Sequence, residues 1–300
     1  MEANTKVLVA LMVLTFVPSV LYAQTNDLNI ELMHCTVRIE GPAAIPGKRA
    51  EGSVFFLSHP MTDSTNTGGT NWGWNLMVTA AHVLEEIKSD TAVLNLHKAV
   101  AGGYEKLPHS ITIRKDGQPV WYKHPDADVA VMLASLSKDY VELVHFPPTF
   151  LLADDAMWDE RFIHPGDEVF CLGFPLGFES SAAGFPILRN GRIGSFPLLP
   201  TKRTKTFLLD LRVFAGNSGG PVYFQFYGRR RFSDFKSPQV DCSGILGLVI
   251  QDISYVQNFE SVFESTSRRD PLGLAVVVHA SLIKEAVESL AAKLQKTGRP

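Results

Sequence analysis

Short runs of alternating and β-branched residues recur along the chain, with Gly, Pro, Asn or Asp between them. "CTVRIE" (35–40), "GSVFFLS", "NLMVTAAHVL", "TAVLNL", "SITI", "DVAVML", "DEVFCLGF", "TFLLDLRV", "PVYFQF", "SGILGLVI" and "LGLAVVV" (272–278) all have this character. Roughly a dozen short strands with few helices between them predict an all-β sandwich or barrel. The exception closes the chain. Ile283, Val287, Leu290 and Leu294 form one apolar stripe at helical spacing, and Ser281 is placed to cap it, so a helix is expected over about 281–296. The Pro-containing stretch from Lys138 to Pro148 is expected to join two halves, and "MTDSTNTGGTNWG" (61–73) to be a surface loop.

With 45% hydrophobic and 20% charged residues and a net charge of -3, the 300-residue chain suits one large domain or two small ones. That balance gives no reason to expect a nucleic-acid partner, and Arg229-Arg230-Arg231 reads as a solvated loop. Lys6, the apolar run "VLVALMVLTFV", Pro18 and "LYA" ending at Ala23 have the order of a cleaved signal peptide over residues 1–23. The mature chain would start near Gln24, outside the cytoplasm, secreted or periplasmic and off the membrane. The alternative is a retained anchor, for which the 17 residues Val7–Ala23 fall just short of a comfortable span. Cys35, Cys171 and Cys242 are widely spaced and odd in number, which suits buried small hydrophobes better than a disulfide framework or a metal site.

The densest chemical signal is "GNSGGP" between two strand patterns. A serine hydroxyl is a poor nucleophile at neutral pH, so Ser218 needs a base nearby and donors where a carbonyl oxygen turns negative. Gly216 lets the backbone turn so that the amides of Gly216, Asn217 and Ser218 can form such an oxyanion site. Among nine histidines, His82 in "VTAAHVL" follows small residues that leave room for its ring to reach another segment. Asp128 and Asp126 in "HPDADVAVML" can both orient that ring. Asp128 adjoins the alternating run Val129, Val131, Leu133, while Asp126 follows Pro125 in a turn, so Asp128 is preferred.

The order His82, Asp128, Ser218, at intervals of 46 and 90 residues, resembles the trypsin-like serine proteases, whose three motifs match "TAAH", "DVAVML" and "GNSGGP". "PGDEVFCLGFPLG" with "RNGRIGSF", Asp210 and "LGLAVVVHASLIKEAV" make the chain most similar to the HtrA/Deg-type bacterial branch. The resemblance covers about Cys35 to Leu294. It implies two six-stranded antiparallel β-barrels (about 30–140 and 149–280) and a C-terminal helix within one protease domain, 24–300. It also implies protein or peptide substrates and no cofactor or metal. Members of that branch usually carry a PDZ domain after the protease; the chain stops at the helix, which puts allosteric activation and cage assembly in doubt. The rival expectation is a protease-fold binding or chaperone-like protein with little turnover. An ungapped match places Arg212 at the base of the substrate pocket, where it would favour acidic residues; the alternative is a small apolar pocket shaped by Val213 and Leu248. Asn217 stands where zymogens carry an aspartate, so a newly cut N-terminal amine would lack its partner, and "GKRAEG" at Lys48-Arg49 reads as a loop.

Overall fold

The computed structural model describes residues 27–60, 73–229, 240–260 and 265–297. The expected signal segment, most of the 61–73 loop and Arg230-Arg231 lie outside them.

The described residues open with a helix that the sequence patterns did not suggest, α1 (Leu28–Cys35), capped by Asp27, whose carboxylate accepts from the Asn29 N–H. The N-terminal sheet then uses β1 (Thr36–Pro42), β2 (Arg49–Pro60), β3 (Gly73–Thr79), β4 (Thr91–Val100), β5 (Gly103–Thr112), β8 (Tyr122–Lys123) and β9 (Ala130–Leu133). A short helix, α2 (Ala81–Glu86), follows β3, and β6 (Arg114–Lys115) and β7 (Gln118–Pro119) form a small separate ribbon. The order is β5-β4-β1-β2-β3-β9-β8, a seven-stranded sheet and not the expected six-stranded closed barrel. The reason is local: β8 pairs with Ala130 and Val131 on the outer edge of β9, which β5 would need for closure. The two margins still meet, through a 2.8 Å hydrogen bond between His109 Nε2 and the Ser135 carbonyl.

The connection from 138 to 148 is more than a linker. It forms α3 (Lys138–Val141) and buries Tyr140, Val144 and Phe146 under the sheet, with the Tyr140 hydroxyl donating to the His34 carbonyl at 2.6 Å. After α4 (Asp155–Glu160) comes the second unit: β10 (Glu168–Gly173), β11 (Ile187–Ile193), β12 (Thr206–Asp210), β13 (Pro221–Arg229), β14 (Val240–Glu260) and β15 (Ser265–His279). These six strands close into an antiparallel barrel in the order β10-β11-β12-β15-β14-β13. Its interior holds Trp158, Phe207, Leu209, Phe224 and Val249. The other core fills the first sheet and takes in Leu172, Tyr223, Ile245, Leu248 and Val278 from the barrel's outer face, so the two units share buried surface.

The last helix, α5 (Ala280–Thr297), starts one residue earlier than expected. Ser281 therefore lies inside the first turn, and its buried hydroxyl has no hydrogen-bond partner among the described residues. Its stripe behaves as the spacing predicts: Ile283, Val287 and Leu290 are buried and Leu294 packs beside them, all in the first sheet's core. All three cysteines are unbridged thiols; Cys35 and Cys171 are buried. No helix among the described residues is long and apolar enough to cross a membrane.

Candidate active site

β3 ends at Thr79, Ala80 is extended, and α2 begins at Ala81, so His82 sits in the first turn of a short helix at the sheet's rim. Ala80 and Ala81 are completely buried, and their small side chains let this turn lie tight against the sheet. Asp128 comes two residues before β9, which pairs with β3. That pairing brings the two together. His82 Nδ1 is 2.5 Å from Asp128 Oδ2, and the His82 backbone N–H donates to Oδ1 at 2.9 Å. The carboxylate therefore fixes both the ring and the backbone of the same residue, and it leaves Nε2 as the ring nitrogen free to act elsewhere. Asp126, the rejected candidate, points to the surface, 3.6 Å from Lys205 Nζ.

Burial opposes both charges, but hydrogen bonding decides the outcome. Desolvation lowers the His82 imidazole. The Asp128 hydrogen bond and the charges of Asp128, Glu86 and Glu85 outweigh it and raise the ring above its ordinary value. For Asp128, burial raises the carboxyl, and the bonds from His82 together with the Ala81 N–H bring it below the usual carboxylate value.

Ser218 is the second residue of the latter of two consecutive tight turns. The Asn217 N–H returns to the Phe214 carbonyl at 3.0 Å and the Gly220 N–H to the Asn217 carbonyl at 2.9 Å. Gly216 (φ +91) and Gly219 (φ +86) take the third positions, the positive-φ place of a type II turn. Space imposes the same choice. A Cβ on Gly216 would lie 2.1 Å from the Phe174 carbonyl oxygen, and one on Gly219 would lie 2.1 Å from that of Ser53 and 2.2 Å from Thr79 Oγ1. Gly219 thus abuts Thr79 and Ala80, immediately ahead of the turn that bears His82.

Two hydrogen bonds across the seam hold this double turn, and a third braces Ser53 from within the first sheet. The Ser53 N–H donates to the Ser218 carbonyl (2.8 Å), Ser53 Oγ donates to the Gly216 carbonyl (2.7 Å), and Thr79 Oγ1 donates to the Ser53 carbonyl (2.7 Å). Ser53 and Thr79 are fully buried. On the other flank, the Leu176 N–H donates to the Ala215 carbonyl at 2.7 Å. In a trans peptide the N–H opposes the C=O, so the Gly216 N–H points away from Leu176. Among the described residues, the N–H groups of Gly216 and Ser218 have no acceptor. The Asn217 amide, expected to stand in line with them, is already engaged by Phe214, because the first turn closes on it. The Asn217 side chain also serves the turn, its Oδ1 accepting from the Phe214 N–H at 3.1 Å.

The Ser218 hydroxyl faces the Ile250 carbonyl at 3.4 Å, and no hydrogen bond among the described residues joins it to His82. Catalytic hydrogen bonds are often long in structures without substrate and tighten on binding.

Beside Ser218 opens a cleft of about 400 Å³, lined on one side by Arg212, Val213, Phe214 and Ala215, and on the other by Val249, Ile250 and Asp252. Arg212 stands at its exposed edge with its guanidinium 5.0 Å from the centre of the Phe214 ring. Asp252 on the far side accepts from Ser254 Oγ at 2.7 Å. The cleft carries one charge of each sign around an apolar middle. Leu248, expected to shape this pocket, does not line it. Leu248 is buried in the core shared with the first sheet, while Val249 and Ile250, beside a register irregularity of β14, border the cleft. No cluster suited to a metal ion occurs among the described residues.

Residues 42–229 match the family model of the trypsin-like peptidase domain, and this span contains His82, Asp128 and Ser218. A comparison with curated proteins gave no match. Among solved structures, the chain is similar to the protease Anisep from Arthrobacter nicotinovorans, with 12% identity, 87% of this chain and 97% of that one covered, and a TM-score of 0.45. It is also similar to the Rv3671c protease of M. tuberculosis in its active form, with 18% identity, 92% and 86% covered, and a TM-score of 0.43.

Proposed function

The chain belongs to the trypsin-like peptidase family, and from that premise we propose that it is an exported serine endopeptidase with Ser218 as nucleophile. The observation that carries this reading is the pairing of an Asp128-oriented His82 with a serine turn that keeps two backbone N–H groups without an acceptor. Ser218 Oγ attacks the peptide carbonyl carbon as His82 Nε2 takes its proton. The carbonyl oxygen becomes an oxyanion between the amides of Gly216 and Ser218. The imidazolium, stabilised by Asp128, then protonates the leaving amine, and an acyl-enzyme remains on Oγ. Water, deprotonated by His82, releases the acid. The side chain before the cut enters the cleft between Phe214 and Ile250. Export is proposed from Lys6, the apolar run and Ala23.

A reactive fluorophosphonate tests the reading, because it labels a serine only when base and oxyanion donors act together. Purified protein should be labelled at Ser218 and cleave a protein substrate, and Ser218→Ala should lose both, by several powers of ten in rate. The hydroxyl's present bond to Ile250 favours one rival, a weakly catalytic binding protein. Absence of labelling in the wild type under all conditions would select that rival.

A further inference from the structure

The segment 174–186 leaves the closed barrel after β10 and re-enters it as β11, yet its side chains are held by the other sheet. Glu179 Oε2 lies 2.5 Å from Lys106 Nζ on β5, and Glu179 Oε1 lies 3.8 Å from Arg38 Nε on β1. Arg38 Nη1 also donates to the Gly177 carbonyl at 3.4 Å and faces Glu51 at 3.7 Å. Glu179 is 14% exposed, Arg38 19% and Lys106 29%, so the trio is partly sheltered from the screening that weakens surface pairs. Further along, Phe185 stacks on the buried His97 ring of β4, with centroids 4.1 Å apart at 15°. His97 Nδ1 is 3.1 Å from the Ala183 carbonyl; since a carbonyl only accepts, that nitrogen carries the proton. The Ser180 N–H closes the far end of the loop onto the Phe185 carbonyl at 2.9 Å.

The near end of the same segment touches the serine turn. Leu176 donates its N–H to Ala215, and the Phe174 carbonyl fills the space where Gly216 lacks a Cβ. Leu176 does this from a left-handed backbone (φ +54), which a branched residue keeps only where its surroundings over-determine it. Two residues separate that strained donor from Glu179. We propose that Glu179, clamped by Lys106 and Arg38, is a positioning residue: by fixing segment 174–186 on the first sheet it holds Leu176 against Ala215, and so aims the Gly216 N–H at the oxyanion. The proposal rests on the serine-peptidase reading and assigns part of its electrostatic stabilisation to a carboxylate that never meets substrate.

Glu179→Gln keeps the side chain's shape without its charge, and Lys106→Met removes the partner charge; both sites reach solvent, and thermal melts establish that each variant is folded. One oxyanion donor is worth about 10²–10³ in kcat, and loosening its support should remove about tenfold or more while KM stays within about twofold. The double variant should be no slower than the slower single one, because both break the same contact, and Lys106→Arg should retain most of the rate. Wild-type kcat in both singles, additive losses in the double, or a loss appearing in KM alone would each overturn the proposal. Amide exchange at Leu176, followed in the same variants, reports on the clamp without substrate. It should quicken in Glu179→Gln, and unchanged exchange overturns the proposal. A wild-type protein that hydrolyses nothing fails the peptidase reading, while Leu176 exchange still decides whether Glu179 holds the turn.

Discussion

Replacing Ser53 by alanine removes a single oxygen from the seam between the two units. The lost group is the hydroxyl that donates to the Gly216 carbonyl at 2.7 Å; Ser53 is completely buried and Gly216 is buried too. Alanine fits the space without a clash, and the backbone bond from residue 53 to the Ser218 carbonyl survives. What remains is a buried carbonyl without its donor, which costs about 1–3 kcal/mol. At about 2–4 °C per kcal/mol for a domain of this size, the midpoint taken as about 2 kcal/mol corresponds to a Tm lowered by about 4–8 °C. The Gly216 carbonyl and N–H lie on adjoining peptides, so freeing one loosens the aim of the other. We expect kcat to fall about tenfold, equivalent to about 1.4 kcal/mol of transition-state stabilisation, with KM unchanged because the cleft-lining residues are untouched. Steady-state kinetics on a fluorogenic peptide together with calorimetric melting measure both quantities. A lowered Tm with wild-type kcat would show that the hydroxyl supports the seam but not the oxyanion turn, and the reasoning would be wrong.

The pH profile should carry the mark of His82. Its imidazole is raised above the ordinary value of about 6.5 by Asp128, Glu86 and Glu85 against the opposing effect of burial, and a general base must be neutral. Thus kcat/KM should climb with pH through a value above about 6.5, and the limb should move down in Asp128→Asn, with a large loss of rate; a wild-type limb below about 6 refutes this. Stability should respond to acid through two other histidines, His97 and His279, which are fully buried and lowered by burial to about 4. The unfolded chain takes up these protons near 6.5 and the folded chain only near 4, so stability should decline as pH falls through that window, by up to about 3 kcal/mol per ring. Urea unfolding at pH 7 and pH 4.5 measures the decline, which should shrink when either histidine is replaced by phenylalanine; equal stability at the two pH values contradicts it.

The residues legible in the sequence are those whose chemistry is announced by near neighbours. Glycine on both sides of Ser218, small residues ahead of His82, and an alternating run after Asp128 are local signs of turn, rim and strand mouth. The same alternation rejected Asp126, which the fold leaves against Lys205. The stripe of α5 was equally plain, since spacing alone defines it. Ser53 was not legible: in "EGSVFF" it is an ordinary strand serine, and it matters only because a residue 163 positions later folds back onto it. Glu179 is hidden for the same reason. Leu248 missed the cleft by one position, because β14 reaches it beside a register irregularity at Val249–Gln251 that no strand pattern announces. The open first sheet escaped notice because the two-residue strand β8 leaves no pattern to detect, yet it occupies the edge that closure requires.

The first and last helices each reach across to the other unit. α1 precedes the first sheet, but Asn29 bonds to Gln225 at 2.9 Å and receives the Tyr223 hydroxyl at 2.9 Å, both on β13 of the closed barrel. α5 follows the closed barrel, but its apolar stripe completes the first sheet's core, and Glu285 meets His124 there at 3.3 Å. Neither half is therefore a finished object when its own strands have paired. A chain emerging from its N-terminus must keep the first sheet's flank exposed until α5, made after both sets of strands, comes back to cover it. Such long sequence separation slows folding and leaves sticky surface uncovered in the meantime. Because the two units share a buried core and exchange contacts at both helices, cutting between them should yield two incomplete fragments.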